Sequence, residues 1–325
     1  MTNLLKYMNT NISERTLPLQ GIRVMLMLGI VLLHTYKNPV FGNAFQLVSF
    51  FFIVSGFLYR NKCSYSEYIK KKILGVFPLF WIVLFLSESI CFIRGGNNIT
   101  WSIVPHILLL QSWVPNSDFA FNYVGVAWFL SSLLFCYAVA PFLYKYVSKC
   151  SIYKTWLMVI VLYAIIVCMR DYHCANKGVE DWLKYINPLF CMFEYLLGML
   201  LFNSVRNCKY IVLPRHYESV ALIVLVSYFY SIYANWGGIC LIHSLMIAFI
   251  YKYKSVIISS VLSNKYIVYL APYMLFVYMT HQSITLNCLQ SRVNSKILLV
   301  LLCFILGTIG GILFNRWIKP IIKRI

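Results

Sequence analysis

The stretch LPLQGIRVMLMLGIVLLHTY, Leu17 to Tyr36, decides how the rest of the chain is read. Its twenty residues match the roughly 20 that an α-helix needs to cross the hydrocarbon core of a bilayer. Its ionisable side chains are Arg23 and His34, with no carboxylate among them. Working outward, comparable apolar runs fall at Ala44 to Tyr59, Ile73 to Ile93, Tyr123 to Tyr144, Thr155 to Met169, Tyr185 to Phe202, Ser219 to Ala234, Trp236 to Tyr251, Tyr266 to Leu286 and Ile297 to Trp317. The fifth, seventh and eighth of these ten runs are short for a full crossing, and Ile99 to Trp113 reads as an interfacial or re-entrant helix. The expected fold is an all-α integral membrane protein, a bundle of about ten transmembrane helices forming a single polytopic domain over residues 1–325.

Composition supports that frame. Residues of the AVILMFWYC set make up 61% of the 325, and charged residues only 11%. Mean hydropathy is +0.75. A water-soluble surface draws on roughly a quarter of charged residues, so the solvent of this exterior is lipid. Disorder, coiled coil and a disulfide-stapled secreted domain are excluded on the same ground. The first run leads into further spans and lacks a small-residue cleavage site, which reads as a retained helix rather than a signal peptide.

The formal charge of +19 arises from 28 Lys and Arg against 9 Asp and Glu. These cations form short clusters between apolar runs rather than a continuous basic stripe, so they read as orientation signals and not as a nucleic-acid surface. Under strict alternation, 20 of them fall on one side and 7 on the other, with Arg23 inside the first span. The excess predicts that both termini are cytoplasmic. The eleven cysteines show no C-x-x-C pair or metal spacing, so they read as packing residues and no metal site is expected.

An ionisable group inside a membrane helix is costly, which makes Arg23 and His34 the first candidates for function. Eleven residues separate them, about 1100° of helical rotation and about 16 Å of rise, so both point to one face at different depths. Two bland readings stand beside the functional one. Arg23 lies near the start of its run, where a snorkelling arginine is common, and His34 precedes polar Thr35 and Lys37 as an interfacial histidine would.

The pattern around them carries more. Leu19-Gln20-Gly21-Ile22-Arg23, ten residues, then His34, followed by Phe51-Phe52-Ile53-Val54-Ser55-Gly56-Phe57-Leu58, resembles the acyltransferase-3 family of multi-pass membrane O-acyltransferases. Similar likenesses run downstream: Lys70-Lys71-Lys72 before Phe77-Pro78-Leu79-Phe80, Trp128-Phe129-Leu130 with Tyr137 and Pro141, Phe193 with Leu197-Gly198-Met199-Leu200, and Val277-Tyr278-Met279-Thr280-His281-Gln282. One departure stands out. The family's Arg-x-x-Arg in the third-span loop is represented here by Lys72 and Gly75.

The resemblance implies transfer of an acetyl or other acyl group from acetyl-CoA to a hydroxyl of a cell-surface polysaccharide or its lipid-linked precursor, in a bacterial inner membrane. Acetyl-CoA enters as a donor substrate, and no bound cofactor is implied. Acyl transfer needs a base and a group to hold the donor, roles that fit His34 and Arg23 respectively, since guanidinium stays protonated. The cluster Arg60, Lys62, Lys70, Lys71 and Lys72 is first an orientation signal. Within it, Lys70, Lys71 and Lys72 are the candidates for the donor phosphates. Ser55 and Gly56 read as a close-packing pair that is also a candidate donor contact. Glu194 is placed to orient a histidine or pair with a cation. His281 reads equally as a support for the site or as structure, and Trp128 as an interfacial anchor or a site residue. His106, His173, His216 and His243 have no partner that the sequence names. The competing class is a polytopic transporter of a glycan or small solute, for which intramembrane Arg, His and Glu are equally suited, although no halved, repeated layout is evident.

Overall fold

The computed structural model describes residues 14–36, 44–60, 63–96, 99–233 and 238–322. Each of the ten apolar runs coincides with a helical segment. The principal helices are α1 (Leu17–Tyr36), α2 (Ala44–Leu58), α3 (Tyr65–Ile93), α4 (Trp128–Val147), α5 (Ile152–Arg170), α6 (Pro188–Val205), α7 (Glu218–Tyr233), α8 (Ile239–Lys252), α9 (Met274–Thr280) and α10 (Lys296–Leu313). Six helices among the described residues are long and apolar enough to cross a bilayer, those containing α1, α3, α4, α5, α6 and α10. Helices α2 and α8 are apolar but shorter, at 15 and 14 residues. The expected ends Ala234 and Trp236 of the seventh and eighth runs lie outside the described residues.

Burial runs opposite to that of a soluble bundle. The windows of α1, α4 and α6 are 56% buried, whereas those of α5 and α10 are 17% and 28% buried. The outward side chains of these peripheral helices are Trp156, Leu157, Ile160, Leu301, Ile305 and Ile309. Such faces are stable only against an apolar solvent, where backbone polar groups are satisfied within each helix.

At the centre, α2 and α6 cross in direct backbone contact. A Cβ on Gly56 would fall 1.8 Å from the carbonyl oxygen of Tyr195, and one on Gly198 would fall 1.9 Å from that of Ile53. Each glycine therefore admits the other helix's backbone, the small-residue packing that replaces the hydrophobic effect where lipid is as apolar as the core. A buried ion pair ties α5 to the same crossing. Arg170 donates to Glu194 at 2.6 Å, and Ser49 Oγ on α2 donates to the same carboxylate at 2.6 Å. Removing one member of such a pair costs about 3–5 kcal/mol. At the basic end, Ile211–Val212 pairs in parallel with Tyr253–Lys254 and ties the linkers after α6 and α8 together.

Two segments depart from simple helices. The stretch expected as one interfacial helix, Ile99 to Trp113, holds two short ones, Ile103–Ile107 and Gln111–Trp113, separated by Leu109 at φ 53°. A branched side chain at positive φ breaks helical continuity. The ninth run is broken as well: Lys265–Leu270, a 3₁₀ turn at Ala271–Tyr273, α9, and a π-helical stretch at His281–Leu286. Pro272 lacks the N–H that would continue the ladder, and the π turn rotates the following side chains out of α-helical register.

Candidate active site

The break in the ninth run positions His281, and α1 positions His34. Separated by 247 residues, their rings meet with His281 Nε2 3.1 Å from His34 Nδ1. His281 is fully buried and His34 half-buried. The remaining contacts fix the protons. His281 Nδ1 lies 2.6 Å from the carbonyl oxygen of Tyr278, which can only accept, so Nδ1 carries the hydrogen and Nε2 of the neutral ring holds a lone pair. His34 Nδ1 faces that lone pair and also the carbonyl oxygen of Ile30 at 2.9 Å. It therefore carries a hydrogen, and the basic lone pair of His34 is on Nε2. The arrangement is that of an imidazole whose Nε2 lone pair is oriented through its other nitrogen by a second imidazole and a backbone carbonyl.

His34 lines a chamber of about 310 Å³ walled by Ile30, Phe45, Val48, Trp128, Tyr278 and Gln282. Trp128 thus belongs to the wall of this chamber, 5.6 Å from the Phe45 ring, and not to an exposed interface. Tyr278 Oη donates to the carbonyl of Val126 at 3.0 Å and pins the chamber's rim to the segment before α4.

Toward the basic end the chamber adjoins a narrow apolar channel of about 120 Å³, with Val48 and Tyr278 common to both. The channel in turn shares Arg23, Ser55 and Tyr137 with a wide vestibule of about 740 Å³. Arg23, Arg60 and Lys72 line that vestibule together with Tyr59, Tyr68, Tyr137, Tyr195 and Tyr251, and no carboxylate is among its lining residues. Arg23 donates to Gln20 at 3.0 Å, and no salt bridge joins it to a carboxylate among the described residues. Lys72 Nζ sits 4.0 Å from the centroid of Tyr137, and Arg60 lies over Phe202 while donating to the carbonyls of Phe57 and Tyr59 at the end of α2. Tyr59 is 6% exposed, yet its hydroxyl has no hydrogen-bond partner. Three cations with no carboxylate among the lining residues, backed by a phenol without a partner among the described residues, give this vestibule a positive lining.

The structure brings Arg23, Ser55, Lys72, His34 and Trp128 into the walls of these adjoining cavities, with His281 behind His34. It does not bring the others there. Glu194 is committed to Arg170 and Ser49, Gly56 to the helix crossing, and Lys71 to Glu67 at 2.6 Å on an exposed face. Lys70 is exposed and does not line the vestibule. At Gly75 an added Cβ would meet nothing within 4 Å, so that position opens away from the site. The second cation comes instead from Arg60, which the sequence places in the basic cluster without singling it out; Lys62 lies outside the described residues. His243, between Tyr228 Oη at 3.1 Å and the carbonyl of Gln46 at 2.8 Å, is a buried structural histidine. No group of three His, Cys, Asp or Glu among the described residues is placed to hold a metal ion.

With a paired histidine at one end of three adjoining cavities and a cationic vestibule at the other, comparison with known proteins becomes specific. The chain matches the family profile described as an acyltransferase domain, Acyl_transf_3, over residues 18–316. It belongs to the acyltransferase-3 family. Among curated proteins it is similar to the acyltransferase MdmB of Streptomyces mycarofaciens, 26% identical over 179 residues. That alignment covers 49% of this chain and 46% of the relative, so the chain spans about half the length of the curated protein it matches. No solved structure matches. The family is one of acyltransferases, and the long apolar helices are those of an integral membrane protein.

Proposed function

We propose that this acyltransferase moves an acetyl group from acetyl-CoA to a hydroxyl of a cell-surface polysaccharide or its lipid-linked precursor. It does so in the inner membrane of a bacterium, with about ten crossings and both termini cytoplasmic. The observation that carries the reading is the row of three adjoining cavities, from the vestibule with no carboxylate in its lining, past the small apolar one, to the chamber at His34. The excess of Lys and Arg on the vestibule side supports cytosolic access for the donor.

In this reading Arg23, Arg60 and Lys72 take the donor phosphates, and the narrow channel accepts the pantetheine arm with its thioester uppermost. The acceptor oxygen attacks the thioester carbonyl as its proton passes to His34 Nε2. The resulting imidazolium is steadied by Nδ1–H donation to Ile30 and His281. The tetrahedral intermediate then expels the CoA sulfur, which recovers the proton from Nε2, giving the acetyl ester and CoA thiol. Phe45, Val48 and Trp128 around the reacting centre exclude water, which competes with the acceptor hydroxyl.

The test is acetyl transfer from labelled acetyl-CoA to a lipid-linked glycan by the protein in liposomes, wild type against His34→Ala. Transfer is expected to disappear in the variant while acetyl-CoA binding persists. Unaltered transfer in His34→Ala would remove the base from the mechanism and the proposal with it.

A further inference from the structure

Behind the histidine chamber, on the side away from the vestibule, lies a second large cavity of about 640 Å³. Its wall includes Ser87, Glu88, Asn122, Tyr123, Ser283 and Asn287. The two cavities are back to back. Residues 122–123 and 283 face this one, while Gly125, Val126 and Gln282, their near neighbours in the chain, face the His34 chamber. The partition is thin: a Cβ on Gly125 would lie 3.5 Å from Gln282 Oε1.

Three observations say what this cavity is built to hold. Ser283 is 3% exposed, yet its hydroxyl has no hydrogen-bond partner, a buried polar group that costs stability unless a ligand or water completes it. Glu88 is half-buried on α3 and has no hydrogen bond or ion pair with any described residue. Arg94, which also lines the cavity, donates to the carbonyls of Asn287 and Cys288 and keeps its charge. Finally, Tyr123 is held at φ 59°, a conformation that costs an aromatic residue strain, by hydroxyl contacts to Ser102 at 2.9 Å and Thr100 at 3.4 Å. Its ring is thereby fixed in the wall.

We infer that this cavity is the acceptor subsite, and that it takes a neutral sugar ring by a vicinal diol bound to Glu88 with Ser283 completing the contact. The inference rests on the acyl-transfer reading above. A carboxylate accepts two parallel O–H bonds, which is what adjacent ring hydroxyls supply, and a serine hydroxyl can both donate and accept. With one carboxylate, Glu88, and one guanidinium, Arg94, in its wall, the cavity lining carries no net charge, which suits a neutral ring better than an acidic one. The volume falls in the range of about 300–1,000 Å³ usual for small-molecule sites. Transfer from this subsite requires the Gln282 side chain, which closes on Gly125, to swing aside so that a ring hydroxyl reaches His34.

Two measurements on the full-length protein separate this inference from the reading it rests on. The first is equilibrium binding of a neutral oligosaccharide to wild type, Glu88→Gln and Ser283→Ala in detergent, with acetyl-CoA binding as the control. Both variants are expected to weaken sugar binding, Glu88→Gln at least tenfold and Ser283→Ala severalfold, with acetyl-CoA binding within twofold of wild type. Equal weakening of both ligands would point to structural damage and overturn the assignment, as would sugar binding within twofold of wild type in both variants. The second is His34-dependent acetyl transfer, whose absence in wild type defeats the proposed function whatever the sugar binding. Transfer with an unchanged acceptor KM in Glu88→Gln defeats the subsite alone. An acidic oligosaccharide binding as well as the neutral one would overturn the predicted sugar class.

Discussion

Arg23 and His34 stand on one helix, yet their surroundings have opposite character. Around Arg23 the space is wide and polar, with three cations, five tyrosines and no carboxylate. Around His34 it is smaller and mostly apolar, and a second imidazole, His281, meets its ring from another helix. The contrast follows from what each end must handle. Phosphates are strongly hydrated and bind where several fixed charges can replace water, whereas a base works best where water is scarce and its lone pair is already aimed. The apolar cavity of about 120 Å³ between them keeps the two environments apart, and in the proposed reaction it takes the slender acyl arm.

The contrast is broken most severely at the base. His34→Ala is expected to lower acyl transfer by about 10²–10⁴-fold, the usual contribution of a positioned general base, with donor affinity unchanged. Liposome transfer assays alongside acetyl-CoA binding measure both. Arg23→Gln should do the reverse: donor affinity falls by about 10–100-fold, as expected for loss of hydrogen bonds to a charged group, while the rate at saturating donor changes little. If Arg23→Gln lowers the saturated rate as much as His34→Ala does, the two ends are one site and the division of labour fails.

His281 sharpens the comparison from the apolar side. His281→Ala removes a neutral acceptor from His34 Nδ1 but leaves the Ile30 carbonyl in place. The rate at saturation should drop about 3–10-fold, the worth of one such hydrogen bond, with donor and acceptor KM held. His281→Gln, which can present an amide oxygen to Nδ1, is expected to recover part of the loss. A purely structural role predicts instead that both variants lose protein from the membrane in parallel with activity.

How much of this was legible in the sequence differs between the two regions. The face shared by Arg23 and His34 follows from helical arithmetic, because an eleven-residue spacing survives any tertiary arrangement of a straight α1. The partnership of His34 with His281 does not, since it depends on where a proline and a π turn leave the ninth run after 247 intervening residues. Glu194 illustrates the converse. As an acid inside an apolar run it has the signature of function, yet Arg170 and Ser49 hold it in the α2–α5–α6 packing. Glu88 has the same one-dimensional signature and no such partner, a difference that only packing reveals. The helices themselves were readable nearly to their ends because lipid forces backbone groups to pair locally, whereas the Leu109 break and the shortness of α2 and α8 answer to neighbours.

The smallest predicted effect separates three lysines that the sequence presents as equals. Lys70, Lys71 and Lys72 are consecutive on α3, so successive side chains diverge by about 100° and cannot all enter one cavity. Lys72 turns inward against Tyr137, while Lys71 is paired with Glu67 in solvent and Lys70 is exposed. Exposed charges are screened and contribute little to a bound ligand, whereas a half-buried cation inside the vestibule is not. Lys72→Gln is therefore expected to raise the donor KM by about threefold and to flatten its salt dependence, and Lys70→Gln and Lys71→Gln to leave both unchanged. A donor KM that climbs equally for all three would mean that the cluster acts as a diffuse field at the membrane surface, and that the anion site is not confined to the vestibule formed by Arg23, Arg60 and Lys72.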